Sequence, residues 1–291
     1  MFGLLNIYKP VGMTSHDVVS ILRRITKIKQ IGHTGTLDPF AEGVLPVCIG
    51  KATRLIEYFA DDKEYLATVQ FGSATTTYDI EGEKTFTSDK KISAKDIDLS
   101  PFKGEIEQVP PVYSAIKVKG KKLYEYAREG KQIEIQPRKV NIEKIELESF
   151  DEKLQQAKIL IKCSKGTYIR SIAHDLGQNL GVGAHLVKLI RTQAGKFRVE
   201  NSVQLDEIDV LANLINPLDM LDLQKIEVNK EDLEKIKNGM AIEFSPDCFA
   251  NLANIENRYH NDNFVVLVYN NSIVAIAKTD RNKIKVKKVF L

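Results

Sequence analysis

The chain has 291 residues, of which 43% are hydrophobic and 28% are charged, so it has an ordinary globular composition and enough length for two domains. It contains no apolar run long enough to cross a membrane and no signal-peptide pattern at its N-terminus, so we expect a cytoplasmic protein without a membrane partner. The three cysteines, Cys48, Cys163 and Cys248, are far apart and include no C-x-x-C pair, which argues against a disulfide framework or structural zinc.

Hydrophobic periodicity predicts several elements in the first two thirds of the chain. Thr14 and Asp17 have the spacing of a capping box, which predicts that a helix begins there. The pattern predicts four later elements: strands over 64–72 and 158–163, a helix over 171–180, and a shorter helix near 185–190.

The pattern changes after residue 222. Residues 206–222 are predicted to form a helix followed by a linker, which Pro217 interrupts. A short helix is then predicted to end on Gly239, and strand-like runs follow at 264–269, 273–277 and 284–291, with an Asn–Asn hairpin turn after the first. We therefore place a domain boundary near residue 222 and expect a small β-rich unit after it.

Basic residues are concentrated in three stretches. Residues 117–139 and 278–288 each carry a net charge of +5, and residues 188–198 carry four basic residues and no acid, on a chain whose total is only +3. Such stretches on an acidic background suit a polyanionic partner. A solvated lysine-rich surface would give the same pattern.

Residues 32–54, GHTGTLDPFAEGVLPVCIGKATR, form the segment most suggestive of chemistry. Four glycines and two prolines predict loops that allow a ligand close to the backbone. Asp38 precedes Pro39, so its backbone is biased towards extended geometry on a stiff loop. The GKAT tail lacks the first glycine and the final Ser or Thr of a phosphate-binding loop, and the signatures of zinc deaminases and nucleophile-elbow hydrolases are absent.

This segment resembles the catalytic-aspartate motif of the TruB family of pseudouridine synthases. Further stretches resemble that family's motifs in the same order: LNIYKPVGMTSHDVV at 5–19, DKEYLATVQFG at 62–72, VPPVYSAIKVKGKKLYEYAREG at 109–130, CSKGTYIRSIAHDLG at 163–177 and GAHLVKLIRTQAGKF at 183–197. The resemblance implies an α+β fold, with a mixed, largely antiparallel sheet flanked by helices. It also implies a catalytic domain over 1–222 with an RNA-gripping insertion at about 109–139, and a PUA-like RNA-binding domain over 223–291.

The resemblance also implies the roles of seven residues. The implied catalytic group consists of Asp38, Tyr65 and Arg170, with Arg170 pairing with the aspartate. The implied substrate-binding group consists of His33, which would pack against the flipped RNA, Tyr168 and Leu189, which would line the uracil pocket, and Lys9, which would support the Asp38 loop or contact phosphate. One departure is Ile190, where the family often has a first arginine before Arg191.

By resemblance the chain isomerises uridine 55 in the TΨC loop of tRNA, without cofactor or metal, as a monomer that needs no guide RNA. The residues leave two other interpretations open: an inactive RNA-binding or tRNA-folding factor, and a catalytic subunit guided by a separate RNA. The intact set of Asp38, Tyr65 and Arg170 favours an enzyme over the inactive factor. The compact chain and the 109–130 segment favour a stand-alone enzyme over a guided subunit.

Overall fold

The computed structural model describes residues 1–118, 120–131, 133–243, 264–280 and 283–291. Strands β1 to β19 are, in chain order, Gly3–Lys9, Ile31–His33, Glu42–Ile49, Lys63–Phe71, Ser73–Thr75, Lys84–Thr87, Gly104–Gln108, Lys117–Val118, Lys121–Lys122, Arg138–Asp151, Gln156–Cys163, Ala184–Ala194, Phe197–Arg198, Val203–Gln204, Gln224–Glu227, Ile242–Glu243, Phe264–Tyr269, Ser272–Asp280 and Lys283–Val289. Helices α1 to α5 are Ser15–Thr26, Leu123–Arg128, Ile169–Asn179, Pro217–Met220 and Lys230–Lys237. No helix in this part of the chain is long and apolar enough to span a bilayer.

A ten-stranded mixed sheet forms the larger layer. Its main path is β14-β1-β3-β12-β4-β11-β10-β7, with β2 beside β3 and β13 beside β12. The pairs β1–β14 and β3–β12 are parallel, and the other neighbouring pairs of this sheet are antiparallel. The α+β class and the mixed, largely antiparallel sheet predicted from the sequence are therefore confirmed.

Helix α1 begins where its capping signal predicts. The Thr14 side chain accepts a hydrogen bond from the Asp17 amide, and the Asp17 carboxylate accepts one from the Thr14 amide. The buried face of the helix, which includes Val18 and Leu22, packs in the same apolar cluster as residues of β1 and β3. Local hydrogen bonding and an apolar stripe together fix this helix.

The short helix predicted near 185–190 is wrong, because this segment is the central strand β12. It lies between β3 and β4, and a register shift between Leu186 and Lys188 places an extra residue in the strand. The shift changes the phase of the alternation, so Leu186 and Leu189 are both buried although three residues apart. A spacing of three mimics the period of a helix.

The helix predicted from residue 206 is also wrong, since turns occupy this stretch until the four-residue helix α4. The carboxylate of Asp209 accepts hydrogen bonds from the amides of Leu211 and Ala212, which holds a turn. Ile215 then pairs by its backbone with Leu4 at the start of β1. The Asp209 carboxylate thus accepts hydrogen bonds from backbone amides and stabilises a turn instead of a helix.

The C-terminal residues form a second sheet in the order β15-β17-β18-β19-β16. Asn270 and Asn271 both have positive φ, at 47° and 59°, in the predicted hairpin turn between β17 and β18. Helix α5 ends before Gly239, whose φ is 69°, as predicted for a left-handed residue after a helix. The β-rich C-terminal unit is confirmed within the described residues.

A 3₁₀ helix, Gly50–Tyr58, follows β3 directly and joins the two sheets. Lys51 Nζ donates to the carbonyl of Leu291 at 2.6 Å, and Arg54 Nη1 donates to the carbonyl of Val289 at 2.7 Å. One apolar cluster contains side chains from both sheets, including Leu4, Val44, Val266 and Phe290. The two units therefore share buried apolar surface as well as hydrogen bonds.

Candidate active site

Asp38 lies on the loop between β2 and β3, and neighbouring elements fix the backbone on both sides of it. Ser15 Oγ, at the first turn of α1, accepts from the Leu37 amide at 2.8 Å and donates to the Leu37 carbonyl at 3.1 Å. The Gly12 amide donates to the carbonyl of Pro39 at 2.9 Å. These contacts hold the carboxylate on a stiff loop, as the Asp–Pro sequence predicts.

Lys9 lies behind this loop and is fully buried. Its Nζ donates to the carbonyls of Pro10, Met13 and Pro39 at 2.8, 2.7 and 3.4 Å. Burial lowers the pKa of Lys9 to about 8. Of the two roles expected for Lys9, this geometry favours support of the loop over contact with phosphate.

The guanidinium of Arg170 is held by four acceptors. It contacts Asp38 Oδ2 at 2.9 Å and Asp79 Oδ2 at 3.3 Å, and it donates to the carbonyls of Thr77 and Tyr113, each at 3.1 Å. The Arg170 side chain is only 7% exposed, whereas Asp38 is 36% exposed. Two carboxylates offset the unfavourable position of a cation in the first turn of α3.

Asp79 is the second anionic partner of Arg170, and the sequence did not indicate it. Its carboxylate is 4% exposed and accepts hydrogen bonds from the Thr77 hydroxyl and from the Glu81 amide. Burial raises the pKa of Asp79. It lies in a surface-like TTTYDIEG turn, where nothing in a single sequence distinguishes a buried acid from a solvated one.

Arg191 braces the Asp38 loop from the opposite side. Arg191 is only 1% exposed. Its guanidinium donates hydrogen bonds to the carbonyls of Val44, Thr36 and Gly35 at 2.6, 3.3 and 3.2 Å. In β12 it lies opposite Tyr65 of β4. The helix predicted near 185–190 ended before Arg191, and the sequence did not indicate this inward position, which the strand β12 gives it.

These elements enclose a cavity of about 310 Å³. Five of the seven predicted residues line it: Asp38, Tyr65, Tyr168, Arg170 and Leu189. Tyr65 and Leu189 are 9% and 5% exposed, and burial raises the pKa of Tyr65, which favours the neutral phenol. The cavity thus combines a carboxylate, an arginine and flat apolar walls suited to an aromatic ring.

His33 does not line this cavity. It ends β2, is partly buried and has an Nδ1 without a hydrogen-bond partner in the described part of the chain. Burial lowers the pKa of His33, which favours its neutral form. Its predicted contact with a flipped RNA base stays a prediction.

The predicted insertion at about 109–139 begins beside the wall of the cavity, and both its first residue and the preceding Gln108 contact that wall. The side chain of Gln108 accepts from the Tyr168 amide at 2.7 Å and donates to the Tyr168 carbonyl at 3.0 Å. Ser171 Oγ donates to the carbonyl of Val109 at 2.8 Å. The insertion is therefore anchored at the start of α3, beside Arg170.

Other catalytic chemistries have little support. Among the described residues, no cluster of three or more His, Cys, Asp or Glu side chains could hold a metal ion. Cys48 and Cys163 are buried, and burial raises the pKa of their thiols to about 12 and about 11, which makes them poor nucleophiles. Cys248 lies outside the described residues.

Comparison with known families gives two adjoining matches. Residues 23–169 match the family described as TruB family pseudouridylate synthase (N terminal domain). Residues 170–223 match the family described as tRNA pseudouridylate synthase B C-terminal domain.

Several curated proteins called tRNA pseudouridine synthase B are similar along most of their length. The protein of Caldanaerobacter subterraneus subsp. tengcongensis is 42% identical over 299 residues, which cover 99% of each chain. The protein of Clostridium novyi is 50% identical over 211 residues and 72% of each chain. The protein of Staphylococcus saprophyticus is 41% identical over 311 residues and 99% of each chain.

Two solved structures share the fold. A chain from a Cbf5-Nop10-Gar1 complex superposes with a TM-score of 0.71 at 27% identity, over 100% of this chain and 85% of that one. A chain from an H/ACA RNP bound to a substrate RNA containing 2'-deoxyuridine gives the same TM-score and coverage at 23% identity, which supports the fold alone.

Proposed function

The chain belongs to the TruB family of pseudouridylate synthases, and from this membership we propose that it converts uridine to pseudouridine in tRNA, at position 55 of the TΨC loop. The observation that carries the proposal is the Asp38–Arg170 pair, 2.9 Å apart, at the wall of a 310 Å³ cavity. Curated relatives at 41–50% identity are called tRNA pseudouridine synthases.

We assign the central chemical role to Asp38. Arg170 engages its Oδ2, while Oδ1 has no hydrogen-bond partner within the described residues and is free to meet a substrate. A carboxylate can act as a nucleophile or as a base, and the contact from Arg170 Nη2 to Oδ2 holds the direction of this one. Arg170 is in turn held by Asp79, which makes Asp79 a positioning residue in this proposal.

The target base would enter the cavity after leaving its stack in the RNA loop, at a cost of a few kcal/mol. Tyr65, Tyr168 and Leu189 offer surfaces for the uracil ring, and the neutral phenol of Tyr65 is placed to assist proton transfer. We propose that His33, just outside the cavity, packs against the RNA that the flipped base leaves behind.

The reaction breaks the N1–C1′ bond and forms a C5–C1′ bond. Substrate and product are isomers, so no electrons or groups are imported and no cofactor is required by the chemistry. Asp38 has three routes to this result: addition to the base, attack on C1′, or removal of a sugar proton. All three need a carboxylate beside the glycosidic bond with one free oxygen.

We propose that the RNA is gripped at two further places. The insertion at 109–139 interleaves basic and aromatic side chains, and Lys121 and Lys122 lie over the rings of Tyr126 and Tyr124. Residues 223–291 would act as a PUA-like RNA-binding domain, with residues 1–222 as the catalytic domain. We propose a cytoplasmic, monomeric enzyme that needs no guide RNA.

An RNA-binding or tRNA-folding factor without catalysis is the main alternative. The paired Asp38 and Arg170 argue against it, since a factor that only binds RNA has no use for a buried arginine aimed at a half-exposed carboxylate. A guided subunit is the second alternative, because a chain from an H/ACA RNP bound to a substrate RNA shares the fold.

Incubation of an unmodified tRNA transcript with the purified protein alone tests these possibilities together. We expect pseudouridine at position 55 without any added RNA or cofactor, as mapped by sequencing after chemical labelling. Binding without pseudouridine would support the inactive factor, and pseudouridine that forms only with an added guide RNA would support the guided subunit.

A further inference from the structure

Lys63 interrupts an otherwise apolar row in the active-site strand. Strand β4 alternates strictly, and its buried face carries Lys63, Tyr65, Ala67, Val69 and Phe71. Lys63 is 8% exposed and lines the same cavity as Tyr65. A strand advances about 3.3 Å per residue, so the lysine lies roughly 7 Å from Tyr65 along the cavity wall.

The ammonium of Lys63 is poorly compensated for a buried charge. Nζ donates one hydrogen bond, to the carbonyl of Asp61 at 2.9 Å, and forms no ion pair within 4.0 Å among the described residues. The Asp61 carboxylate pairs instead with Lys165 at 2.5 Å. Burial, and then the charge of Arg191, lower the pKa of Lys63. A buried cation without a counterion is costly, so its retention calls for a partner that is absent from the protein alone.

The position of Lys63 indicates which part of a substrate it meets. A methyl group built on Gly35 would lie 3.6 Å from Lys63 Cε and 3.8 Å from Arg191 Nη1, so the two cations border one region of the cavity wall. Lys63 Nζ is held by the carbonyl of Asp61, whereas the Asp38 carboxylate is held by Arg170 at the start of α3. Lys63 and Asp38 therefore line the same cavity from different elements, β4 and the loop before β3.

We propose that Lys63 is a further catalytic residue, whose ammonium donates to the uracil oxygen across the ring from the glycosidic bond, O4, and stabilises the negative charge that the ring acquires during isomerisation. This inference rests on the proposed function of the same cavity. With the ribose and N1 at Asp38, the atom farthest from the glycosidic bond is O4, and in this proposal O4 meets the ammonium of Lys63 in the same cavity.

Charge on the ring follows from the bond changes. In the route through C1′, the N1–C1′ bond breaks, its electron pair stays with the uracil as an anion shared by N1, O2 and O4, and Asp38 Oδ1 bonds to C1′. After the base turns, C5 attacks C1′ and releases the Asp38 carboxylate, while the C5 proton is lost and N1 gains a proton. Addition to the ring or removal of a sugar proton also places negative charge on ring oxygens, so Lys63 serves all three routes.

The first test compares Lys63→Met with Lys158→Met, an exposed lysine of the neighbouring strand β11 that does not line the cavity. We expect Lys63→Met to lower the single-turnover rate at saturating tRNA by about 10²- to 10³-fold, as when one preorganised donor to a developing anion is removed. The control should stay near the wild-type rate. The melting temperature of Lys63→Met should be unchanged or higher, since methionine removes an unpaired buried charge.

A lower melting temperature with a normal rate in the folded protein would show that Lys63 merely holds the Asp61 loop, and would overturn the proposal. The single-turnover rate of the wild-type protein on unmodified RNA is measured in the same experiment. Its inactivity would refute the proposed function itself, whereas an active wild type with a normal Lys63→Met would refute only the role of Lys63.

The second test identifies the substrate atom, using TΨC stem–loop RNAs with uridine, 2-thiouridine or 4-thiouridine at the target position. Sulfur accepts hydrogen bonds weakly. The decrease in single-turnover rate caused by Lys63→Met should therefore be a few-fold at most with 4-thiouridine, and with 2-thiouridine it should be as large as with uridine. Equal losses on all three RNAs, or a loss that shrinks only with 2-thiouridine, would overturn the contact with O4.

Discussion

Replacing Arg170 with lysine tests the central pair most directly, because lysine keeps the charge but not the fork. A lysine that reaches Asp38 gives up the Asp79 contact and the carbonyls of Thr77 and Tyr113. With about 2 kcal/mol for the charged pair and about 1 kcal/mol for each carbonyl, the loss totals about 4 kcal/mol.

This total sets the expected rate. If the whole interaction free energy is lost in the transition state, Arg170→Lys should react about 10³-fold more slowly than wild type. If half of it is lost as stability of the folded protein, the rate should fall about 30-fold and the melting temperature should also be lower. The assay is single-turnover release of tritium from C5 of labelled tRNA uridine, at saturating enzyme. Arg24→Lys, an exposed arginine of α1, is the matched control. A rate within threefold of wild type at an unchanged melting temperature would refute this reading of the pair.

Three further substitutions probe Asp38, the sheet and the buried lysine. Asp38→Asn should abolish pseudouridine formation without changing the affinity for tRNA, and turnover that deamidation does not explain would contradict its role. Gly43→Ala should lower the free energy of unfolding by about 2 kcal/mol more than Gly104→Ala, since a methyl at Gly43 lies 2.4 Å from the Arg191 carbonyl oxygen while the one at Gly104 meets open space at a similar positive φ; equal losses in urea denaturation would exclude the clash. Burial lowers the pKa of Lys9 to about 8 from about 10.5, so between these pH values the unfolded chain binds more protons and stability rises with pH. The unfolding free energy of wild type minus that of Lys9→Met should therefore increase from pH 8 towards 10.5, and a flat difference would show that Lys9 titrates normally.

Local signals were sufficient for some elements and insufficient for others. The capping pair Thr14 and Asp17 and the turn at 270–271 depend on neighbours in sequence, so the sequence predicted both correctly. Strand β12 depends on two strands far away in the chain and carries a bulge, so its apolar spacing misled the prediction. Tertiary pairing overrode the local period there.

The candidate site divides in the same way. The family resemblance predicted Asp38 and Arg170 as site residues, and the structure brings their side chains into contact. Asp79 and Arg191 were missed because their partners are a distant guanidinium and backbone carbonyls, which leave no pattern in one sequence. Lys63 did leave a trace, as a charged residue two positions before Tyr65 on the inward face of a strand.

Strand β3 gives the molecule a fixed internal length. The Asp38 loop enters it at Glu42, and the 3₁₀ helix that carries the C-terminal sheet leaves it at Ile49. The strand has eight residues, and seven steps of about 3.3 Å separate its two ends by about 23 Å. If residues 223–291 bind RNA as proposed, this distance would select among substrates. An RNA whose target uridine lies at another distance from the part bound by the second sheet could engage one end of the strand but not both.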